Sequence, residues 1–358
     1  MFLSAFARLS IAAPIALMVL QGGQVQTQDV QPVNSGANPY RTIRNWGEGP
    51  AGRPWGGSNG VAIDRDGKSV WAVDRCSPGT NPGCLGSTAD PVHKFDESGK
   101  RLRSFGGGMF VWPHGLHVDR DGNIWVADSR HPSAEDRAKF PGEKPKGSVV
   151  IKFSPEGKVL MTIGTPGVGG NPPNALTDPT NVLTAANGDV YISESHTNVE
   201  DPNLVGRISV FDRNGKFLRT IGKTGTGPGE FRTPHAMAFD SQGRLIVADR
   251  HNHRIQILDT SGKYLGEYKE FSRVSGLTID RNDTIYAADS ESTPRTHPGW
   301  VKGIRIGSLK DGKVTIFIPG HQTDSPDGAM GEGIALDAAG NLYTAEATVR
   351  GLTKYVRN

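Results

Sequence analysis

The chain has 358 residues and a formal net charge of +3, 40 Lys and Arg standing against 37 Asp and Glu. That near balance, with basic residues scattered rather than striped, excludes a dedicated nucleic-acid binder. With 47 Gly, 24 Pro and no long helical apolar period beyond the N-terminus, the composition points to an all-β, turn-rich protein.

In chain order, residues 1–28 read as a secretory signal peptide. Arg8 precedes the apolar run from Ile11 to Leu20, and a Gly/Gln-rich stretch follows; the run is too short for a stable bilayer anchor. This predicts a secreted or periplasmic protein with no membrane span. Residues 29–38 read as a polar linker, and Tyr40-Arg41-Thr42-Ile43-Arg44-Asn45-Trp46 as an isolated strand.

A hairpin pattern then recurs six times. Gly60-Val61-Ala62-Ile63-Asp64 returns through Asp66-Gly67 as Trp71-Ala72-Val73-Asp74-Arg75. The same cycle runs from His114 to Asp128, Asn181 to Glu194, Ala236 to Asp249, Gly276 to Asp289 and Gly333 to Glu346. A spacing of about 40–65 residues signals one closed array rather than separate domains. Between these hairpins lie second ones, such as Val92–Phe95 with Arg101–Phe105 and Arg207–Phe211 with Phe217–Ile221. Each unit therefore holds four strands, but the sixth stops one short, at Leu352–Arg357. The Tyr40–Trp46 segment, whose Arg-Thr-Ile recurs at 219–221, supplies the missing strand. The expected fold is a six-bladed β-propeller spanning residues 39–358, closed by its N-terminal strand so that no sheet edge is left open. An open solenoid would not explain a strand missing at one end and present at the other.

Cys76 and Cys84 are the two cysteines, close together in a Pro/Gly-rich loop. In an exported chain such a pair reads as a disulfide.

The residues entering the innermost strand of each blade are Asn59, His114, Thr180, His235, Ser275 and Glu332. Alternate blades stand about 120° apart around a propeller axis. His114, His235 and Glu332 thus converge on the channel as an open three-ligand set, suited to zinc, with iron or manganese as alternatives. A lone His at a strand start is usually a capped polar residue; two in register, with a carboxylate in the third blade, are less easily accidental. A second polar ring follows the second strands: Arg75, Arg130 with His131, His196, Arg250 with His251, and Glu291. Guanidinium groups there suit a small molecule or peptide bearing a carboxylate.

Pro113-His114-Gly115-Leu116, Thr233-Pro234-His235-Ala236-Met237 and the run from Ala248 to Gln256 resemble NHL-repeat propellers. Within that group the chain is similar to the peptidyl-α-hydroxyglycine α-amidating lyases over nearly all of its mature length. The resemblance implies a channel metal, zinc, held by His114 and His235, with Glu332 in place of a third histidine. It implies a structural calcium bound partly through the carbonyls of Val61 and Leu116, although the calcium carboxylate falls on Gly333. It makes Arg75 the catalytic arginine, sets His196 where the family has a tyrosine base, and matches Met330 to a methionine near the substrate. The reaction implied is N–Cα cleavage of a carbinolamide, releasing an amide and glyoxylate. Two other readings stay open. One is a metal-dependent lactonase or esterase using Glu332, Asn181 and Asn59. The other is a non-catalytic binding scaffold using the inserts at 130–147, 165–178 and 319–331. A monomer is expected.

Overall fold

Each hairpin read from the sequence forms the inner half of a four-stranded antiparallel sheet, and there are six such sheets. They are seen in a computed structural model that describes residues 30–77, 83–196, 201 and 204–358. The expected signal segment lies outside the described residues.

The innermost strands are Ser58–Ile63, Pro113–Val118, Pro179–Thr184, Pro234–Phe239, Gly276–Ile279 and Gly333–Leu336. The second strands Val70–Asp74, Ile124–Asp128, Val190–Glu194, Leu245–Asp249 and Leu342–Glu346 are buried at every residue. A neighbouring blade covers each of their faces, which is why they read as continuous apolar runs rather than alternating ones. Trp71 and Val73 of blade 1 pack with Ile124 and Val126 of blade 2 in one such inter-blade core. Each buried aliphatic side chain there stabilises the ring by about 1.5–3 kcal/mol. Outermost strands such as Arg101–Phe105 bury only one of their five residues fully.

The sixth sheet is completed from the other end of the chain. Tyr40–Trp46 pairs antiparallel with Gly351–Arg357, Tyr40 opposite Arg357 and Trp46 opposite Leu352. Trp46 then packs edge-on against Tyr343, ring centroids 4.8 Å apart. The Asp-rich turns close the inner hairpins at the channel end opposite the ring residues. Asp119, for example, accepts the Asp121 and Asn123 amides at 3.0 and 2.8 Å and the Trp125 indole Nε1 at 3.0 Å. The aspartate thereby fixes the turn and the tryptophan of the returning strand.

Two stretches differ from their sequence reading. The segment read as a polar linker lies along blade 5, where it supplies acceptors to the buried Arg305. Arg305 donates to the Val33 carbonyl at 2.8 Å and to Asn34 Oδ1 at 3.0 Å, and the Phe317 amide donates to the Ala37 carbonyl at 3.2 Å. The insert at 130–147 contains a short helix, Ala134–Lys139, started by a capping box of Ser133 and Asp136. Cys76 and Cys84 form a disulfide. Among the described residues no helix is long and apolar enough to cross a membrane.

Candidate metal centre at the channel mouth

The ring residues stand where the register argument places them, as the second residue of the innermost strand in blades 1 to 4 and just before it in blades 5 and 6. Close contact between adjacent innermost strands brings them together. A Cβ on Gly115 or Gly333 would collide with the carbonyl of Thr180 or Asn59 in the next blade, so only glycine permits that approach.

His114 and His235 are each held by one ring nitrogen. Nδ1 of His114 lies 2.8 Å from the Thr180 carbonyl and Nδ1 of His235 lies 2.7 Å from the Ser275 carbonyl. A carbonyl accepts only, so each Nδ1 carries the proton and each Nε2 presents its lone pair. Both Nε2 atoms are buried and without a partner. Glu332 Oε2 lies 3.7 Å from Nε2 of His114 and 3.9 Å from that of His235, and Asn59 Nδ2 donates to the same oxygen. The ligand atoms of these three residues and of His196 all lie within 4.8 Å of one another, and among the described residues this is the one His/Cys/Asp/Glu group that could hold a metal ion. Below it the channel encloses a cavity of about 270 Å³.

Electrostatics suit a metal as well. Burial holds the three imidazoles well below the usual histidine pKa, and the Arg75 or Arg250 charge adds to this in each, so they stay neutral and able to ligate. Burial also raises the Glu332 carboxyl, while Arg75 and Arg250 oppose that shift. Three buried, unpartnered imidazole nitrogens beside a carboxylate are costly as they stand; a divalent cation would satisfy all four.

Arg75 stacks on Trp112, its guanidinium carbon 3.4 Å from the ring centroid. Its Nε and Nη2 are buried without partners, and burial lowers its pKa to about 10. Arg250 is tied instead to Glu291, Nη1 to Oε1 3.3 Å, and Arg273 donates to the same carboxylate at 2.9 Å. Arg75 and Arg250 both keep buried nitrogens without hydrogen-bond partners at this mouth, but among the described residues no carboxylate is ion-paired with Arg75 as Glu291 is with Arg250.

Other residues singled out in the sequence lie elsewhere. The Met330 side chain is buried between blades 5 and 6 with Tyr40, Tyr286 and Ile304, and its sulfur faces the Tyr355 hydroxyl at 3.6 Å. It is a core residue, while Glu332, two residues on, lines the channel. Val61 and Leu116 line the channel cavity beside the ring. The Asn59 carbonyl fills the space that any side chain at position 333 would need, so the calcium carboxylate of the resemblance has no counterpart there. His131 is turned away to Ser148 Oγ at 3.1 Å.

One set of positioning residues went unread in the sequence. Each second strand ends in an acid: Asp74, Asp128, Glu194, Asp249, Asp289 or Glu346, each at most 1% exposed. In four blades this acid accepts a backbone amide just upstream of the innermost strand. The donors are Gly56 at 3.4 Å, Trp112 at 2.5 Å, Thr177 at 2.6 Å and Arg232 at 2.8 Å. The acids thus fix the loops that deliver the ring residues, and their regular recurrence was the available signal.

Comparison with known proteins agrees with this architecture. The sequence profile of a family described as 6-bladed beta-propeller matches residues 178–295. The chain is 28% identical to peptidyl-glycine alpha-amidating monooxygenase B of Xenopus laevis over 72% of its length, spanning 27% of that protein. It is 31% identical to peptidyl-alpha-hydroxyglycine alpha-amidating lyase 2 of Drosophila melanogaster over 46% of its length, spanning 35% of that protein. The chain thus spans about a third or less of these two relatives. A gluconolactonase structure from Xanthomonas campestris shares the fold, with a TM-score of 0.57 at 13% identity, covering 89% of this chain and 90% of the other. The chain is a six-bladed β-propeller that resembles the peptidyl-α-hydroxyglycine α-amidating lyases.

Proposed function

We propose that the chain is an exported, metal-dependent lyase of the peptidyl-α-hydroxyglycine α-amidating type. The observation that carries this reading is the convergence of buried, unpartnered imidazole nitrogens and the Glu332 carboxylate beside an Arg75 guanidinium with free donors. His114, His235 and Glu332 would hold the metal, zinc or another divalent transition ion. When bound it supplies Lewis acidity toward a substrate hydroxyl. Arg75 would bind the substrate carboxylate with its planar fork, stacking on Trp112 keeping that fork fixed. N–Cα cleavage requires the hydroxyl proton to leave and the departing amide nitrogen to gain one. His196 beside the ring, and the Glu332 carboxylate that would also hold the metal, are the groups able to accept the first. The Cys76–Cys84 disulfide supports an oxidising destination.

A second reading, a lactonase or esterase, is favoured by one observation: Asn59 Oδ1 is buried and unpartnered beside the Glu332 carboxylate. Such a pair of oxygen donors suits a hard cation such as calcium.

Metal content by elemental mass spectrometry separates the two. The lyase reading expects about one zinc, iron or manganese per wild-type chain, none in the His114→Ala/His235→Ala double variant, and glyoxylate release from an α-hydroxyglycine-extended peptide. No transition metal in the wild type would sink it, and calcium in its place would support the hydrolase.

A further inference from the structure

The channel-mouth cluster contains a residue that the ring pattern does not supply. His196 comes from the loop after the second strand of blade 3, Val190–Glu194, and reaches the axis from outside the ring. Its imidazole centroid lies 4.7 Å from that of His114 and 5.7 Å from that of His235. Trp112 packs edge-on against it at 4.8 Å and fixes its plane. Its Nε2 is buried without a partner, the same condition as in His114 and His235. The ligand atoms of all four residues fall within one 4.8 Å group. A proton acceptor for substrate needs a lone pair open to substrate, whereas the ligand atom of His196 lies among three other ligand atoms.

We propose that His196 is a fourth protein ligand to the channel metal, giving a set of three histidines and one carboxylate. This rests on the metal reading above and deepens it. Tetrahedral zinc with all four positions filled by side chains is the closed arrangement of structural sites. A reacting centre built on these four ligands needs further coordination positions, so the set favours an ion that takes five or six ligands, such as iron(II) or manganese. The proton-accepting role then falls to a group other than His196.

Cobalt(II) is the probe, because its visible absorption reports coordination number and ligand type. Chelator-stripped wild type, His196→Ala and His196→Tyr would each be titrated with Co²⁺, after thermal unfolding shows that the stripped proteins are equally folded. The expected result is one Co²⁺ per wild-type chain with the weak bands of a five- or six-coordinate ion. Both variants should bind Co²⁺ at least about 10-fold more weakly, since loss of an outer-shell partner alone costs that much, and with shifted bands. Wild-type affinity and bands in both variants would overturn the fourth-ligand assignment while leaving the metal site standing. Failure of wild type itself to bind Co²⁺ would overturn the metal reading and this inference with it.

Discussion

Blades 2, 4 and 6 present His114, His235 and Glu332 to the channel; blades 1, 3 and 5 present Asn59, Thr180 and Ser275 at the equivalent place in the ring. Each odd-blade residue orients the even-blade residue that precedes it around the ring. Thr180 holds His114, Ser275 holds His235, and Asn59, across the closure from blade 6 to blade 1, holds Glu332. The contacts differ in kind. Thr180 and Ser275 act through backbone carbonyls, which any side chain would preserve. Asn59 acts through its side-chain amide. The carboxylate should therefore be the ligand whose orientation a single side-chain change upsets, while the histidines are positioned by backbone.

Substitution of Asn59 tests that difference most sharply. Asn59→Ala leaves the Glu332 carboxylate without its donor and should weaken metal binding by up to about 100-fold, the upper end for loss of an outer-shell partner. Ser275→Ala keeps the carbonyl that holds His235 and should leave metal affinity unchanged. Competition titration against a chelator reads both. Equal losses in the two variants would break the distinction between side-chain and backbone positioning. A smaller effect is expected at Arg75, which lies beyond the ring. Arg75→Lys removes the planar fork stacked on Trp112 but keeps a positive charge. It should raise KM for an α-hydroxyglycine-extended peptide by about 10-fold, the value of one charge-assisted hydrogen bond, with metal content at the wild-type level. An unchanged KM would remove Arg75 from substrate binding.

The two sets of blades also show what can be read from sequence. The fold was legible because each inner hairpin repeats its apolar runs and Asp-rich turn, and because Arg41-Thr42-Ile43 echoes the outermost strand of blade 3, which exposed the closing strand. His114, His235 and Glu332 were legible because ring register is a fixed offset from those runs. His196 was legible as a site residue but not as a member of the ligand group, since a loop's reach across the axis has no period. Met330, matched by resemblance to a methionine near the substrate, lies three residues before the inner strand and packs into the core between blades 5 and 6, and no local pattern tells that orientation from one facing the channel. Contacts between blades, such as Asn59 with Glu332, join residues 273 positions apart, and no local pattern announces them.

The buried acids offer the finest test, because they act on the ring only through the loops. Asp128 is fully buried and accepts the Val111 and Trp112 amides at 2.9 and 2.5 Å, holding the turn that leads to His114. Burial raises its pKa to about 7, the two amides opposing that shift. In the unfolded chain the same carboxyl titrates near ~3.9. Below that value both states are protonated and the group's contribution to stability is fully present. As pH rises toward about 7, the unfolded chain loses its proton while the folded chain keeps it, so the contribution falls. Above that pH both states are ionised and the loss is complete. Asp128→Asn cannot titrate and should show none of this. The Tm of wild type relative to Asp128→Asn should therefore decline between about pH 4 and 7 and then level off. A difference that stays constant across that window would mean that Asp128 is ionised in the folded state throughout, its two amides outweighing burial. The loop carrying Trp112 and leading to His114 would then be held by a full negative charge rather than by a neutral carboxyl.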